Sequence, residues 1–247
     1  MTDRAPTARD LARETIRTRI TDAARARLTD EGPAQLSLRA VARDVGMVSS
    51  ALYRYFPSRD DLLTALLVQD YDELGAAVEA ADAAHDRADV GARWVAACRA
   101  IRTWSIAHPG DFALLYGSPV PGYAAPQETI EPATRATLVL VRIVMDAMDG
   151  RDAPTSAVVP SPRAPGSVVD GAIDYIRSRG ITRDAPVEAV MRTLMAWTAV
   201  FGTVSFELFG HYVGSVSDQA RYFDLVVERL AADIGFAAAR PQIGAAD

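Results

Sequence analysis

The chain has 247 residues, 49% of them hydrophobic and 23% charged, which is enough apolar material for one large domain or two modest ones and excludes a disordered chain. Its single cysteine, Cys98, excludes an internal disulfide framework and a cysteine-only metal cluster within one chain. A net charge of −6 argues at first sight against a nucleic-acid partner.

The distribution of that charge points the other way. Residues 1–59 carry 11 arginines against 7 acids, a net +4, whereas residues 60–247 carry 15 against 25, a net −10. Phosphate binding needs a basic face, not a basic protein. No uninterrupted apolar run of 18 residues is present, so no membrane span is expected. The charged start, MTDRAPTARDLARE, lacks the apolar stretch of a signal peptide, and the expected compartment is cytoplasmic.

Residues 1–12 read as an arm carrying Arg4 and Arg9. A first helix is expected from Leu11 to Asp30, with Ile16, Ile20, Ala23, Ala24 and Leu28 on one stripe and Gly32-Pro33 as its break. Ser37 then suits an N-cap, and Val41, Ala42 and Val45 recur at helical spacing. Gly46 supplies a residue able to turn the chain at φ > 0. A short helix from Ser49 to Tyr55 would bury Leu52 and Phe56, and Pro57 ends it. The run Ser58-Arg59-Asp60-Asp61 restarts a helix with a capping-box pattern, continuing to about Ala80. Two short helices joined by a tight turn form a helix-turn-helix, which lays its second helix in the DNA major groove.

The residues of this stretch go further than its spacing. Leu38-Arg39-Ala40-Val41-Ala42, Gly46-Met47 and Leu52-Tyr53-Arg54-Tyr55-Phe56-Pro57-Ser58-Arg59-Asp60-Asp61-Leu62-Leu63 resemble the DNA-binding domain of the TetR family over roughly residues 15–67. Two positions depart from the pattern. Val48 stands where a small polar residue usually follows the turn, and Arg59 stands where lysine is common.

Beyond residue 85, Trp94, Val95, Cys98, Ile101 and Ile106 mark a helix over 90–107, closed by His108-Pro109-Gly110, with a short helix over 111–116. Residues 117–126 hold three prolines and two glycines and read as a loop. An apolar helix follows over 132–148, then a Pro/Ser/Ala/Gly-rich insertion over 149–167 and a helix over 168–179. Two long helices close the chain. The one over 186–212 is apolar nearly all round; the one over 217–234 carries Tyr222, Phe223, Val226, Val227 and Leu230 on one face. No strand pattern stands out. Residues 106–116, with Trp197, Phe201-Gly202 and Glu207 to His211, resemble the WHG-type C-terminal domain of some TetR-like regulators, with Phe201 where that domain carries histidine.

These readings give an all-α fold. Residues 1–60 form an arm and a three-helix DNA-binding domain, 61–85 a connecting helix, 86–236 an effector-binding and dimerisation domain, and 237–247 a tail. For base contact the candidates are Ser49, Ser50, Ala51 and Arg54: Ala51 against a thymine methyl, Arg54 on guanine O6/N7. For phosphates they are Tyr53, Tyr55, Ser58, Arg59, Ser37 and Arg39. Trp104, Phe112, Tyr116, Tyr123, Met195, Trp197, Thr198 and Phe201 are candidates for an apolar effector pocket, although aromatics at helical spacing also serve as ordinary core. Only Glu207 and His211 share the i,i+4 spacing of a metal site, and a hydrogen-bonded surface or core pair accounts for them; no metal, cofactor or catalytic residue is expected. Cys98, on an apolar stripe, reads as a small buried hydrophobe.

The resemblance implies a homodimeric regulator, a repressor by family habit, that binds a palindromic DNA operator and responds to a small, largely apolar effector. Two alternatives stay open at this point: an α-helical ligand carrier or enzyme with a vestigial helix-turn-helix, and a DNA-binding protein controlled by a protein partner.

Overall fold

The structure is a computed structural model and describes residues 7–149 and 166–235. Arg4, residues 150–165 of the expected insertion and the tail over 237–247 lie outside the described residues. Among the described residues the regular elements are all helical: α1 (Ala8–Glu31), α2 (Leu38–Asp44), α3 (Ser49–Leu52), α4 (Arg59–Ala83), α5 (Val90–Ala107), α6 (Pro109–Tyr116), α7 (Ile130–Asp149), α8 (Asp170–Ser178), α9 (Val187–Leu208) and α10 (Gln219–Ile234), with three short 3-10 turns. They form two compact units. One comprises residues up to 73 together with 107–133, the other 74–106 and the chain from 134 onward.

This division differs from the one drawn from sequence. Residues 107–133, assigned there to the C-terminal domain, belong to the N-terminal unit. The cause is local packing. A Cβ on Gly110 would lie 2.6 Å from the Thr29 backbone nitrogen, so α6 approaches α1 closely only because residue 110 lacks a side chain. Leu114 and Val120 join the same core as Ile20, Leu28, Leu52 and Phe56.

The first helix also starts earlier than expected. Thr7 caps it: its hydroxyl accepts from the Asp10 amide at 3.3 Å while the Asp10 carboxylate accepts from the Thr7 amide at 3.0 Å. Arg9 is therefore a helical residue, not part of an arm. The helix ends as expected at Gly32, and Ile20, Ala24 and Leu28 are buried along its stripe.

In the second unit α9 packs mainly against α10 and α8. Its 22 residues have the length and mean hydropathy (1.2) of a membrane span, but half of that stretch is buried in the structure, as for the central helix of a folded domain. The Trp94 indole N–H donates to the Val227 carbonyl at 3.1 Å, tying α5 to α10. Cys98 is fully buried, and burial pushes its thiol far above the ordinary range.

Candidate nucleic-acid interface

The turn between α2 and α3 is built by Gly46, whose φ is +70°. The Met47 amide donates to the Ala42 carbonyl at 2.8 Å and the Gly46 amide to the Arg43 carbonyl at 3.1 Å, the paired bonds of a Schellman motif. Leu38, Val41, Ala42, Leu52 and Phe56 are buried beneath the motif, and a salt bridge from Arg27 of α1 to Asp44 holds α2 on α1. The motif is thus a fixed corner.

What it presents outward is largely polar. Arg39, Ser50, Tyr53 and Arg54 are exposed, while Ser37, Ser49, Ala51 and Tyr55 are half-buried. The α-helical part of α3 is only four residues; residues 53–55 continue as turns, short of the helix expected to Tyr55. Neither α2 nor α3 has a side-chain cap. Ser37 occupies the N-cap of α2 without making the bond, and Val48 occupies that of α3. A polar cap in either place would contribute about 1 kcal/mol. Ser58 does cap its helix, its hydroxyl accepting from the Asp61 amide at 3.1 Å.

Arg59 is placed differently from expectation. Its guanidinium donates to the carbonyls of Leu36 (2.9 Å), Pro33 (3.0 Å) and Ala34 (3.1 Å), which fixes the 3-10 turn leading into α2. Those donors are used inside the protein, so Arg59 positions the motif. Arg17 does similar work: it donates to the Tyr55 carbonyl at 3.1 Å and lies over the Phe56 ring. Arg17 carried no sequence signal beyond lying on α1, since its partner is 38 residues away.

The eight effector candidates do not assemble in one unit. Phe112, Tyr116 and Tyr123 belong to the N-terminal unit; Trp104, Met195, Trp197, Thr198 and Phe201 belong to the C-terminal one. Phe112 is fully buried beside Tyr116, at 5.2 Å between ring centroids, and the Tyr123 hydroxyl bonds Thr64 at 2.9 Å. Tyr123 also lines an open cleft of about 810 Å³ with Arg17, Thr64, Val68 and Pro126. In the other unit Trp104 and Phe201 are buried, and Met195 and Thr198 are exposed. The Trp197 ring lies 6.0 Å from that of Phe201, and its indole nitrogen is buried with no hydrogen-bond partner among the described residues. The Glu207 carboxylate is held by Arg102 and the His211 ring lies against Phe206, which accounts for the i,i+4 pair as an ion pair and a ring contact.

A network missed from the sequence lies between α1, α4 and α6. Arg25 bonds Asp70 at 2.6 and 3.1 Å and Glu73 at 2.6 Å, with Asp111 at 3.9 Å. Asp70 is fully buried, and one oxygen each of Asp70 and Asp111 has no hydrogen-bond partner among the described residues. Burial, then the charge of Asp111, pushes the Asp70 carboxyl up to about 7, and burial also raises Asp111. The available signal was Asp70 itself, four residues from Leu66 and from Leu74 on a buried stripe.

A helix-turn-helix held as a rigid corner, with serine, tyrosine and arginine side chains turned outward on and just after its second helix, defines a DNA-reading protein of the helix-turn-helix class. The family follows from comparison. The profile of bacterial regulatory proteins of the tetR family matches residues 20–66, and that of the tetracyclin repressor-like C-terminal domain matches residues 94–230. The HTH-type transcriptional regulator Rv1816 of Mycobacterium tuberculosis is 39% identical over 229 residues, covering 90% of this chain and 93% of that protein. The HTH-type transcriptional repressor LfrR of Mycolicibacterium smegmatis is 40% identical over 91 residues, 37% of this chain and 47% of that one. Among solved structures, the regulatory protein SCO4313 superposes with a TM-score of 0.70 at 30% identity, covering 92% of this chain and all of that one. The chain belongs to the TetR family and is a DNA-binding transcriptional regulator, not an enzyme.

Proposed function

We propose that this regulator is a cytoplasmic homodimer that represses transcription from a palindromic operator and releases it when a small, largely apolar effector binds. The observation that carries the dimer is an uncovered apolar stripe along α9. Met195 (56% exposed), Thr198, Gly202 and Phe206 (51%) recur at three- and four-residue spacing on one side, and Tyr222 and Leu225 are exposed on α10. A second copy packed on that stripe would form a four-helix contact related by a two-fold axis. Such an axis pairs naturally with two inverted half-sites.

Ser49, Ser50, Ala51 and Arg54 are the proposed base-reading set, with Arg39, Tyr53 and Tyr55 on phosphates. Support for an effector comes from the Trp197 indole N–H, buried without a partner among the described residues beside Phe201. An apolar ligand with one acceptor oxygen would satisfy it. Because α4 runs unbroken through residues of both units, it is the proposed covalent link between effector binding and the reading helix. The effector must favour one disposition of the reading helices over another, or it shifts nothing. Repression is supported by the relative LfrR, a transcriptional repressor.

A mobility-shift assay on DNA upstream of its own gene, run with sedimentation of the same sample, tests this reading. The expected result is a dimer at micromolar concentration that shifts the DNA. A monomer binding with full affinity would remove the dimer, and absence of any shift would remove autoregulation. Changing Phe206 and Leu225, both exposed, together to charged residues should give folded monomers with weak DNA binding.

A further inference from the structure

Val48 is an anomaly within the reading tip. It sits at the N-cap of α3 in an extended conformation (φ −71°, ψ 142°) and makes no capping bond. It does not pack either: 70% of its surface is exposed, while its neighbour Met47 packs against the buried core. A residue that neither caps nor packs breaks a local rule, and such breaks are expected where the chain meets something outside itself. Around it, Ser50, Tyr53 and Arg54 are exposed polar groups. The valine is the one strongly apolar, fully projecting group among them, and its β-branched side chain has little rotamer freedom to lose on contact.

In the major groove the thymine 5-methyl is the bulkiest apolar feature of the base edges; apart from small C–H groups such as cytosine C5–H, the rest are donors or acceptors. A valine cannot satisfy those, and pressed on a phosphate it would desolvate charge without return. We propose that Val48 is a specificity-determining residue that packs on the 5-methyl of one thymine in each half-site. The inference rests on the reading of DNA by α3 and adds a side chain to the base-reading set. It also accounts for the missing cap: serine at this position would complete α3 and lose the methyl contact.

The test uses the full chain. Selection from a random DNA library first yields the preferred site. Each thymine in that site is then replaced in turn by deoxyuridine, which removes only the 5-methyl, and affinity is read by fluorescence anisotropy. The expected result is one thymine per half-site whose replacement weakens the wild-type protein about fourfold, the value of one buried methyl-sized group. Val48→Ser should bind that site with no deoxyuridine penalty at that position and should accept other bases there. Val48→Thr, which keeps one methyl, should retain part of the penalty. Val213→Ser, which changes a valine that is 84% exposed in the C-terminal unit, should leave the pattern unaltered. An equal deoxyuridine penalty in wild type and Val48→Ser, or a preferred site with no methyl-sensitive thymine, would overturn the assignment of Val48 while leaving DNA reading intact. Failure of the wild type to select any sequence would overturn both.

Discussion

The two units treat buried charge in opposite ways. In the C-terminal unit Arg93 is shared between Asp82 and Asp146, and Arg102 faces Glu207, so each of these arginines meets acids that match it. Burial works against the charged form of Asp146, yet hydrogen bonds from Arg87 and Arg93 hold its carboxyl below the usual range. In the N-terminal unit one arginine, Arg25, serves three carboxylates, and two oxygens are left over among the described residues. A matched pair is satisfied at neutral pH. An under-neutralised cluster is satisfied only when it holds a proton. The unit that reads DNA is therefore the one with a built-in preference for acid.

The most disruptive way to probe that contrast is to remove the shared arginine. Arg25→Met should cost the N-terminal unit about 3–5 kcal/mol above pH 7, because Asp70 and Asp111 are then buried without the guanidinium that faces them, and clearly less near pH 5. Urea unfolding followed by hydrogen exchange of α1 and α4 amides would measure it. Equal losses at both pH values would show that the acids are not under-neutralised.

Titration without mutation comes next. The folded-state value of Asp70 is raised to about 7, above its unfolded value, so folding favours the protonated form. That contribution is fully present below about pH 4 and is lost as pH rises toward 7, by at most about 4 kcal/mol. Asp146 runs the other way: its value is depressed, so its contribution is present above the unfolded carboxylate range and is lost as pH falls. The chain's three tryptophans, Trp94, Trp104 and Trp197, all lie in the C-terminal unit, so their emission reports that unit selectively. Asp70→Asn should flatten the N-terminal slope and leave the tryptophan-detected one unchanged.

A smaller effect separates two arginines of the reading motif. Arg54 is exposed and Arg59 is bonded to three carbonyls. Arg54→Ala should cost ~1–3 kcal/mol at one base pair per half-site with no loss of folding stability. Arg59→Ala should lower stability and weaken all DNA sequences together, without the unit change in salt slope of a lost phosphate contact. A salt slope smaller by about one for Arg59→Ala would return Arg59 to the phosphate role. Smallest of all, Gly46→Ala should cost about 1 kcal/mol in motif stability, read by thermal unfolding, because φ is +70° there.

Much of the helical layout was legible because its causes are local. The Gly46 turn, the Ser58 cap and the stripe Ile20, Ala24, Leu28 are written within a few residues of where they act. The start of α1 was equally local and went unread: Thr7-Ala8-Arg9-Asp10 has capping-box spacing inside a segment taken for an arm. Other features depend on distant partners. Nothing near Arg59 announces a bond to Leu36, and nothing near Asp111 announces Arg25. The affiliation of residues 107–133 turns on Gly110 meeting Thr29, a contact 81 positions apart that no helical period encodes. The aromatic set read as one pocket consists of residues from both units for the same reason.

The burial of Cys98 has a practical side. The chain's single thiol is shut away from solvent and held protonated, so to a maleimide or a thiol-directed spin label the native protein behaves as though it had no cysteine. A cysteine introduced at an exposed position outside the proposed DNA contacts, such as Gln35 beside the reading motif, would then be the sole reactive handle, with no background to engineer away. In a two-fold assembly one such label per subunit gives one inter-label distance. Paired dipolar measurements could therefore follow the spacing of the reading tips directly in the otherwise unaltered protein.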